Sequence, residues 1–273
     1  MIFKLNNNNN NNNNTKTKII ILIVILIILL VILIIYFKYN NKTNEGFENK
    51  NKDRGTLELE LEGGMNNAYQ ILFINLDNRK DRLEAITKQL KNQGVNMKKV
   101  HRIPAHYTPG NGHLGCAKSH IDALQYALDN NFKNVIILED DFKFDTTSKE
   151  TKNLFDKLFN EVDKREWDVI LFAFSSGKPK QTKYSFLNKI TDAQTSSGYI
   201  INKDYYQILI NTFQKSVNNM KPERTSGVKW EQWALDQVWK ENQKNDRWFA
   251  FNPLIGKQDD ELPSTIQQIT NYN

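Results

Sequence analysis

The sequence predicts an α/β domain built on a mainly parallel central sheet and preceded by a single transmembrane helix. Three observations predict it. Short apolar runs alternate with helix-period segments in the order β-α-β-α-β between residues 69 and 138, the pattern of parallel strands joined by crossover helices. The third apolar run, Val135-Ile-Ile-Leu138, ends in Glu139, Asp140 and Asp141, so a buried strand delivers acids where α/β sheets bind ligands. Residues 19–37 hold no charge and no helix breaker and are nearly all Ile, Leu and Val.

Residues 1–18 contain nine consecutive asparagines, Asn6–Asn14, a polar tract that buries no core and reads as disordered. At 1.5 Å per residue, residues 19–37 span roughly 28 Å, close to the ~30 Å hydrocarbon thickness of a bilayer. No small-residue cleavage site follows, so the stretch reads as a retained signal-anchor. Lys4, Lys16 and Lys18 precede it and Lys38 and Lys42 follow, so flanking charge does not orient it. A short N-terminal side and a large C-terminal part fit a type II single-pass protein with its C-terminal domain in the secretory-pathway lumen. Asn41-Lys-Thr43 is a glycosylation acceptor if that side is luminal. Residues 38–65 read as a polar stalk, 66–260 as the globular domain and 261–273 as a polar tail.

The net charge is +6, and beyond residue 62 there are 29 basic against 25 acidic residues with no basic run, which argues against a nucleic-acid partner. Cys116 is the only cysteine, so the sequence predicts neither an intrachain disulfide nor a zinc site built from cysteines. Gly-x-Ser-x-Gly, Walker, His-Glu-x-x-His and Gly-x-Gly-x-x-Gly motifs are absent from the sequence, against hydrolase, NTPase, zincin and dehydrogenase readings.

Within the domain, Tyr69–Asn75 is a strand and Leu76–Arg82 leads from it into a helix, with Asp77 or Asn78 as N-cap, Leu83, Ile86 and Leu90 inward and Gly94 as the stop. Asn75, Arg79 and Arg82 stand at the strand end and first turn, where N–H groups and guanidinium forks can face a nucleotide or its phosphates; the alternative is a surface position for both arginines. Val100–Pro104 is a second strand. Residues Gly115–Leu128 form a helix with Ala117, Ile121, Leu124 and Leu128 on one face, and small residues at its start permit close approach. Ser119 and His120 fall in its first turns, His120 reading equally as a structural histidine.

The acid triplet suits a divalent cation carrying a phosphorylated substrate, Mg²⁺ or Mn²⁺ being matched to hard oxygen ligands; the plain alternative is a solvated turn. Asp141 is the first ligand expected and Glu139 the second, since alternate residues share a side, with Asp140 facing away unless the turn begins early. Further on, Leu154, Leu158 and Val162 mark a helix, Trp167–Phe174 a strand, Ser175–Thr195 a polar flap, Ser196–Ile201 a strand and Asp204–Phe213 a helix. Trp230–Trp239 reads as one helix carrying Asp236 among aromatics, and Arg247–Pro253 as a last strand. An aromatic setting suits a carboxylate to general-base work, although Asp236 reads equally as an outward helix residue.

Ile74-Asn-Leu-Asp-Asn-Arg-Lys-Asp-Arg82, Gly115-Cys-Ala-Lys-Ser-His-Ile121 and Ile137-Leu-Glu-Asp-Asp141 together resemble glycosyltransferase family 25, the lipooligosaccharide and collagen galactosyltransferases. Weaker matches follow in the same order at Trp167–Ile170, Gly198–Ile201, Leu235-Asp236 and Gln258. The resemblance implies a GT-A-like fold whose Rossmann-like half binds a UDP-sugar donor, and transfer of a hexose, usually galactose, with inversion. It also implies a glycan, glycoprotein or collagen-like acceptor. On it, Asn75, Arg79, Arg82, Ser119 and His120 serve the donor, Asp141 and Glu139 hold Mn²⁺ or Mg²⁺, and Asp236 is the catalytic base beside Asp141. Glu139 departs from the common Asp-x-Asp spelling. Two further readings stand beside this one: a membrane-tethered glycan-binding or scaffolding protein of the same fold, and a metal-dependent phosphohydrolase using the histidines between residues 101 and 120.

Overall fold

The computed structural model describes residues 63–221 and 230–259. The asparagine run and the apolar segment 19–37 lie outside the described residues. Among those described, no helix is long and apolar enough to cross a membrane.

The predicted β-α-β-α-β order is present as β1 (Gln70–Asn75), α1 (Lys80–Asn92), β2 (Val100–Pro104), α2 (Gly112–Asp129) and β3 (Asn134–Glu139). Both β2 and β3 pair parallel with β1. After β4 (Phe142–Phe144) and α3 (Ser148–Glu161) come β5 (Val169–Leu171), β6 (Lys180–Gln181), β7 (Leu187–Lys189) and β8 (Gly198–Asn202). The remaining elements are α4 (Tyr206–Asn219), α5 (Leu235–Val238), α6 (Lys240–Asn245), β9 (Trp248–Phe251) and β10 (Gly256–Gln258).

One eight-stranded sheet runs β2-β1-β3-β8-β5-β9-β7-β6. Its pairings make β8 and β7 run against the other strands, so the sheet is mainly parallel with antiparallel insertions. Strand period places Ile71, Phe73, Ile136 and Leu138 on one face with α1 and α3, and Leu72, Ile74, Val135 and Ile137 on the other with α2 and α4. Burial on both faces is why these strands read as unbroken apolar runs.

Local signals set most boundaries. Gly94, at φ +71°, follows the last turn of α1, and Asn131, at φ +57°, follows α2, both in the left-handed conformation that closes helices. The start of α1 differs from expectation. Its cap position is Arg79 without a side-chain cap, while Asp77 instead receives Arg102 at 2.6 Å. The packed chain begins earlier than residue 66: Met65 is buried, and the Gly64 N–H donates to Asp156 at 2.6 Å.

Two stretches correct the sequence reading. Ser175–Thr195 is not a free flap. Its β7 pairs with β9 and its Phe186, Leu187, Ile190 and Ala193 are buried, an apolar content masked by the surrounding Lys, Ser and Thr. Trp230–Trp239 is not one helix. A 3₁₀ turn over Trp230–Trp233 ends at extended Ala234, and the break lets Leu235 and Trp239 enter the core.

The short β4–β10 pair positions the acid turn from below. Phe142 is fully buried between Gly198 and Gly256; a Cβ on Gly198 would stand 2.7 Å from its ring, and one on Gly256 would overlap both that ring and the Lys143 carbonyl. Gly256→Ala is therefore expected to cost about 1–3 kcal/mol in urea unfolding, because a paired backbone carbonyl cannot move aside cheaply. A loss below about 0.5 kcal/mol would show that the seat of Phe142 is looser than this packing.

Candidate active site

The parallel strands β1 and β3 end side by side, Ile74 paired with Glu139, and antiparallel β8 starts at the same place, Gly198 paired with Leu138. Strand ends, the first turns of α2 and the 105–108 loop line a single cleft. Gly115 permits that arrangement, since a Cβ there would overlap the His106 carbonyl. Ser119 fixes the same loop, donating to the Gly115 carbonyl and accepting the His106 N–H, each at 2.8 Å. Its hydroxyl is thus committed to backbone groups, although it lines the cleft.

Asn75, Arg82, Ser119, His120, Glu139 and Asp141, all proposed from sequence, line this one cleft. Asp140 joins them. The strand ends at Glu139, so the turn begins early and Asp140 does not face away. Asn75 gives one Nδ2 hydrogen to Asp140 (2.7 Å) and the other to the Arg79 carbonyl (3.1 Å), while its Oδ1 accepts Arg102 at 2.9 Å. Arg82, 6% exposed, sets its Nη1 between Asp140 (2.8 Å) and Asp141 (3.0 Å). It is therefore an internal counter-ion, a role not expected from its place in an amphipathic helix. Arg79 is not among the lining residues; Asp81 holds its guanidinium at 2.7 Å.

Glu139 accepts Ser196 Oγ at 2.5 Å and lies 3.2 Å from His120 Nε2; His120 Nδ1 lies 2.9 Å from the Tyr199 hydroxyl. Burial pushes the Glu139 carboxyl up, but His120, Ser196 and Arg82 outweigh it and hold the group below the ordinary glutamate value. Asp141 goes the other way. Burial first and the Glu139 charge second push its carboxyl up to about 7, against the pull of Arg82 and Gln258. Its Oδ2 has Arg82 and Gln258, yet its buried Oδ1 has no partner among the described residues. Burial likewise raises Asp140.

That set of hard oxygens, with one carboxylate oxygen bare and a raised proton affinity, fits a divalent cation at Asp141 with Glu139 nearby. The raised Asp141 also has a sign in stability. Below about pH 4 both folded and unfolded chains carry its proton; from there to about pH 7 only the folded chain keeps it, so stability falls as pH rises. In EDTA, Asp141→Asn is expected to raise the Tm at pH 8 clearly more than at pH 5. Equal gains at both values would show that Asp141 is ionised in the fold throughout.

Asp236 is not among the lining residues. It sits in the first turn of α5, where Oδ2 accepts the Thr195 N–H at 3.0 Å and Oδ1 has a 3.5 Å contact to Gln237. Its charge reaches the cleft wall, adding to burial and to Glu139 in pushing the Cys116 thiol up. Sequence reasoning did not assign Ser196, Tyr199 or Cys116 to the site. The first two arrive through the antiparallel pairing of β8 with β3, which no local spacing announces.

Residues 99–222 match the profile described as "Glycosyltransferase family 25 (LPS biosynthesis protein)". That match spans 124 of the 273 residues and includes two of the three segments read from sequence, Gly115–Ile121 and Ile137–Asp141. It supports a glycosyltransferase activity. Among curated proteins no sequence matches. Solved structures include a glycosyltransferase involved in glycosylation of the major capsid of PBCV-1, at 12% identity and TM-score 0.37, covering 67% of this chain and 91% of that one. Another is a Drosophila β-1,4-galactosyltransferase 7 mutant in complex with manganese, UDP-Gal and xylobiose, at 12% identity and TM-score 0.34, covering 75% and 79%. Likeness at this level transfers no residue role to this chain.

Proposed function

We propose that this chain is a membrane-anchored hexosyltransferase that moves galactose from a UDP-linked donor to an acceptor hydroxyl, with inversion and with a divalent cation assisting. The observation that carries the reading is the convergence of Asn75, Arg82 and three carboxylates at the ends of β1 and β3, where the buried Oδ1 of Asp141 has no partner among the described residues. In this reading the donor lies in the cleft with its diphosphate toward the acid turn. Asp141 and Glu139 are the residues that would hold Mn²⁺ or Mg²⁺, which when bound offsets charge on the departing nucleotide. Arg82 keeps the acid turn folded rather than touching phosphate. Tyr107 lines the cleft and is 63% exposed, a ring available to a flat ligand group.

Asp236 is the base in this reading, taking the proton of the acceptor hydroxyl as that oxygen attacks the anomeric carbon. The acceptor is a hydroxyl on a glycan, a glycoprotein or a collagen-like chain, and the anchor is residues 19–37, with the domain in the secretory-pathway lumen. The test is UDP release by the detergent-solubilised full chain from a panel of UDP-sugars, with Mn²⁺ or with EDTA. Metal-dependent release from UDP-galactose and a β-linked product from the α-linked donor are expected. Saturable glycan or donor binding without release from any donor would favour the scaffolding reading instead.

A further inference from the structure

We propose that Cys116, His120 and Glu139 form a second cation site, for a zinc-class divalent ion, in the wall of the cleft. Cys116 and His120 are one turn apart on α2, so their side chains share a face, and Glu139 meets them from the end of β3. One ligand atom from each, a sulfur, an imidazole nitrogen and a carboxylate oxygen, lies within 4.8 Å of the others. Zinc bonds of ~2.0–2.3 Å put tetrahedral ligand atoms roughly 3.3–3.8 Å apart, so closure asks for about an ångström of side-chain movement. The His120–Glu139 edge is already at 3.2 Å.

The surroundings orient this set as outer partners orient metal ligands. With an ion on His120 Nε2, the imidazole proton stands on Nδ1 and donates to the Tyr199 oxygen, 2.9 Å away. Ser196 holds Glu139 Oε1 from the other side at 2.5 Å. Without an ion, burial and the Glu139, Asp236 and Asp141 charges keep the thiol protonated. A bound cation reverses that balance, and the thiol proton leaves to solvent.

A mixed sulfur, nitrogen and oxygen set favours zinc-class ions over Mg²⁺, which selects oxygen. Three protein ligands leave a fourth position for water or for an oxygen of a molecule in the cleft. A single cysteine cannot build a zinc site from cysteines alone, but one thiolate is enough when His120 and Glu139 converge on it. The site shares Glu139 with the donor-side cation reading but does not need Asp141, so Asp141→Asn separates the two.

The test is titration of the reduced full chain with Co²⁺, followed in the near ultraviolet for thiolate-to-cobalt charge transfer. Cys116 is the chain's only cysteine, so a band can come from no other thiol. One equivalent of Co²⁺ is expected to raise the band and Zn²⁺ to abolish it. Cys116→Ser is expected to lose it, and His120→Ala and Glu139→Gln each to weaken Co²⁺ binding at least about tenfold. Asp141→Asn is expected to keep both band and affinity. Glu139→Gln still accepts the Ser196 hydroxyl, so it reads the site even if His120→Ala unfolds the chain. No band at saturating Co²⁺ overturns the proposal, as does binding that is indifferent to Glu139→Gln or that is lost in Asp141→Asn.

Discussion

An Arg82→Met chain is expected to lose about 3–5 kcal/mol of unfolding free energy at pH 8 in EDTA, the cost of leaving buried charges without their partner. Arg82 is 6% exposed and its Nη1 stands 2.8 Å from Asp140 and 3.0 Å from Asp141, themselves 8% and 5% exposed. Methionine fills similar volume, so the loss is electrostatic rather than a cavity effect. Burial already raises both carboxyls with the guanidinium present. Removing it raises them further, so protonation relieves the strain as pH falls, and the loss at pH 5 is smaller than at pH 8. Urea unfolding at the two pH values measures this. A loss below about 1 kcal/mol at pH 8 would place Arg82 outside the support of the acid turn. Arg82→Lys is expected to recover only part, because a single ammonium does not reproduce the guanidinium's geometry.

Asp236→Asn is expected to lower kcat by about 10²–10⁴-fold while leaving donor KM little changed, the signature of a lost proton acceptor. The substitution is informative because Asp236 has a structural duty as well. Its Oδ2 accepts the N–H of Thr195, a β-branched residue held at φ +86°, just before Ser196 reaches Glu139. Asparagine keeps an oxygen for that N–H but cannot take a proton. If Asp236 only holds the Thr195 turn, Asp236→Asn retains the rate and Asp236→Ala loses it together with stability. If it is the base, both variants lose kcat and Asp236→Asn keeps the Tm.

The N-terminal half of the domain was legible because its signals are local. Apolar runs, helical spacing and the glycine after α1 fix β1-α1-β2-α2-β3, and that order carries Asn75 and Glu139 to neighbouring strand ends. The acid triplet was legible as the end of a buried strand, but its geometry was not. The turn starting at Asp140 rests on Phe142 seated between Gly198 and Gly256, residues far away in sequence. Arg82 looked like a helix-surface charge because only the turn's approach reveals its partners. The hairpin of β6 and β7 hid behind polar neighbours, and the break at Ala234 has no proline or glycine to announce it. Ser196 and Tyr199 reach the site through strand pairing, which sequence spacing does not encode.

The most direct measurement of the central reading is a calorimetric titration of UDP into the full chain, with Mn²⁺ and with EDTA. The account predicts saturable one-to-one binding with Mn²⁺, weakened at least about tenfold by EDTA and by Asp141→Asn, since both remove the charge bridge between acid turn and diphosphate. Binding of equal strength in EDTA and in Asp141→Asn, or no binding under either condition, would contradict it.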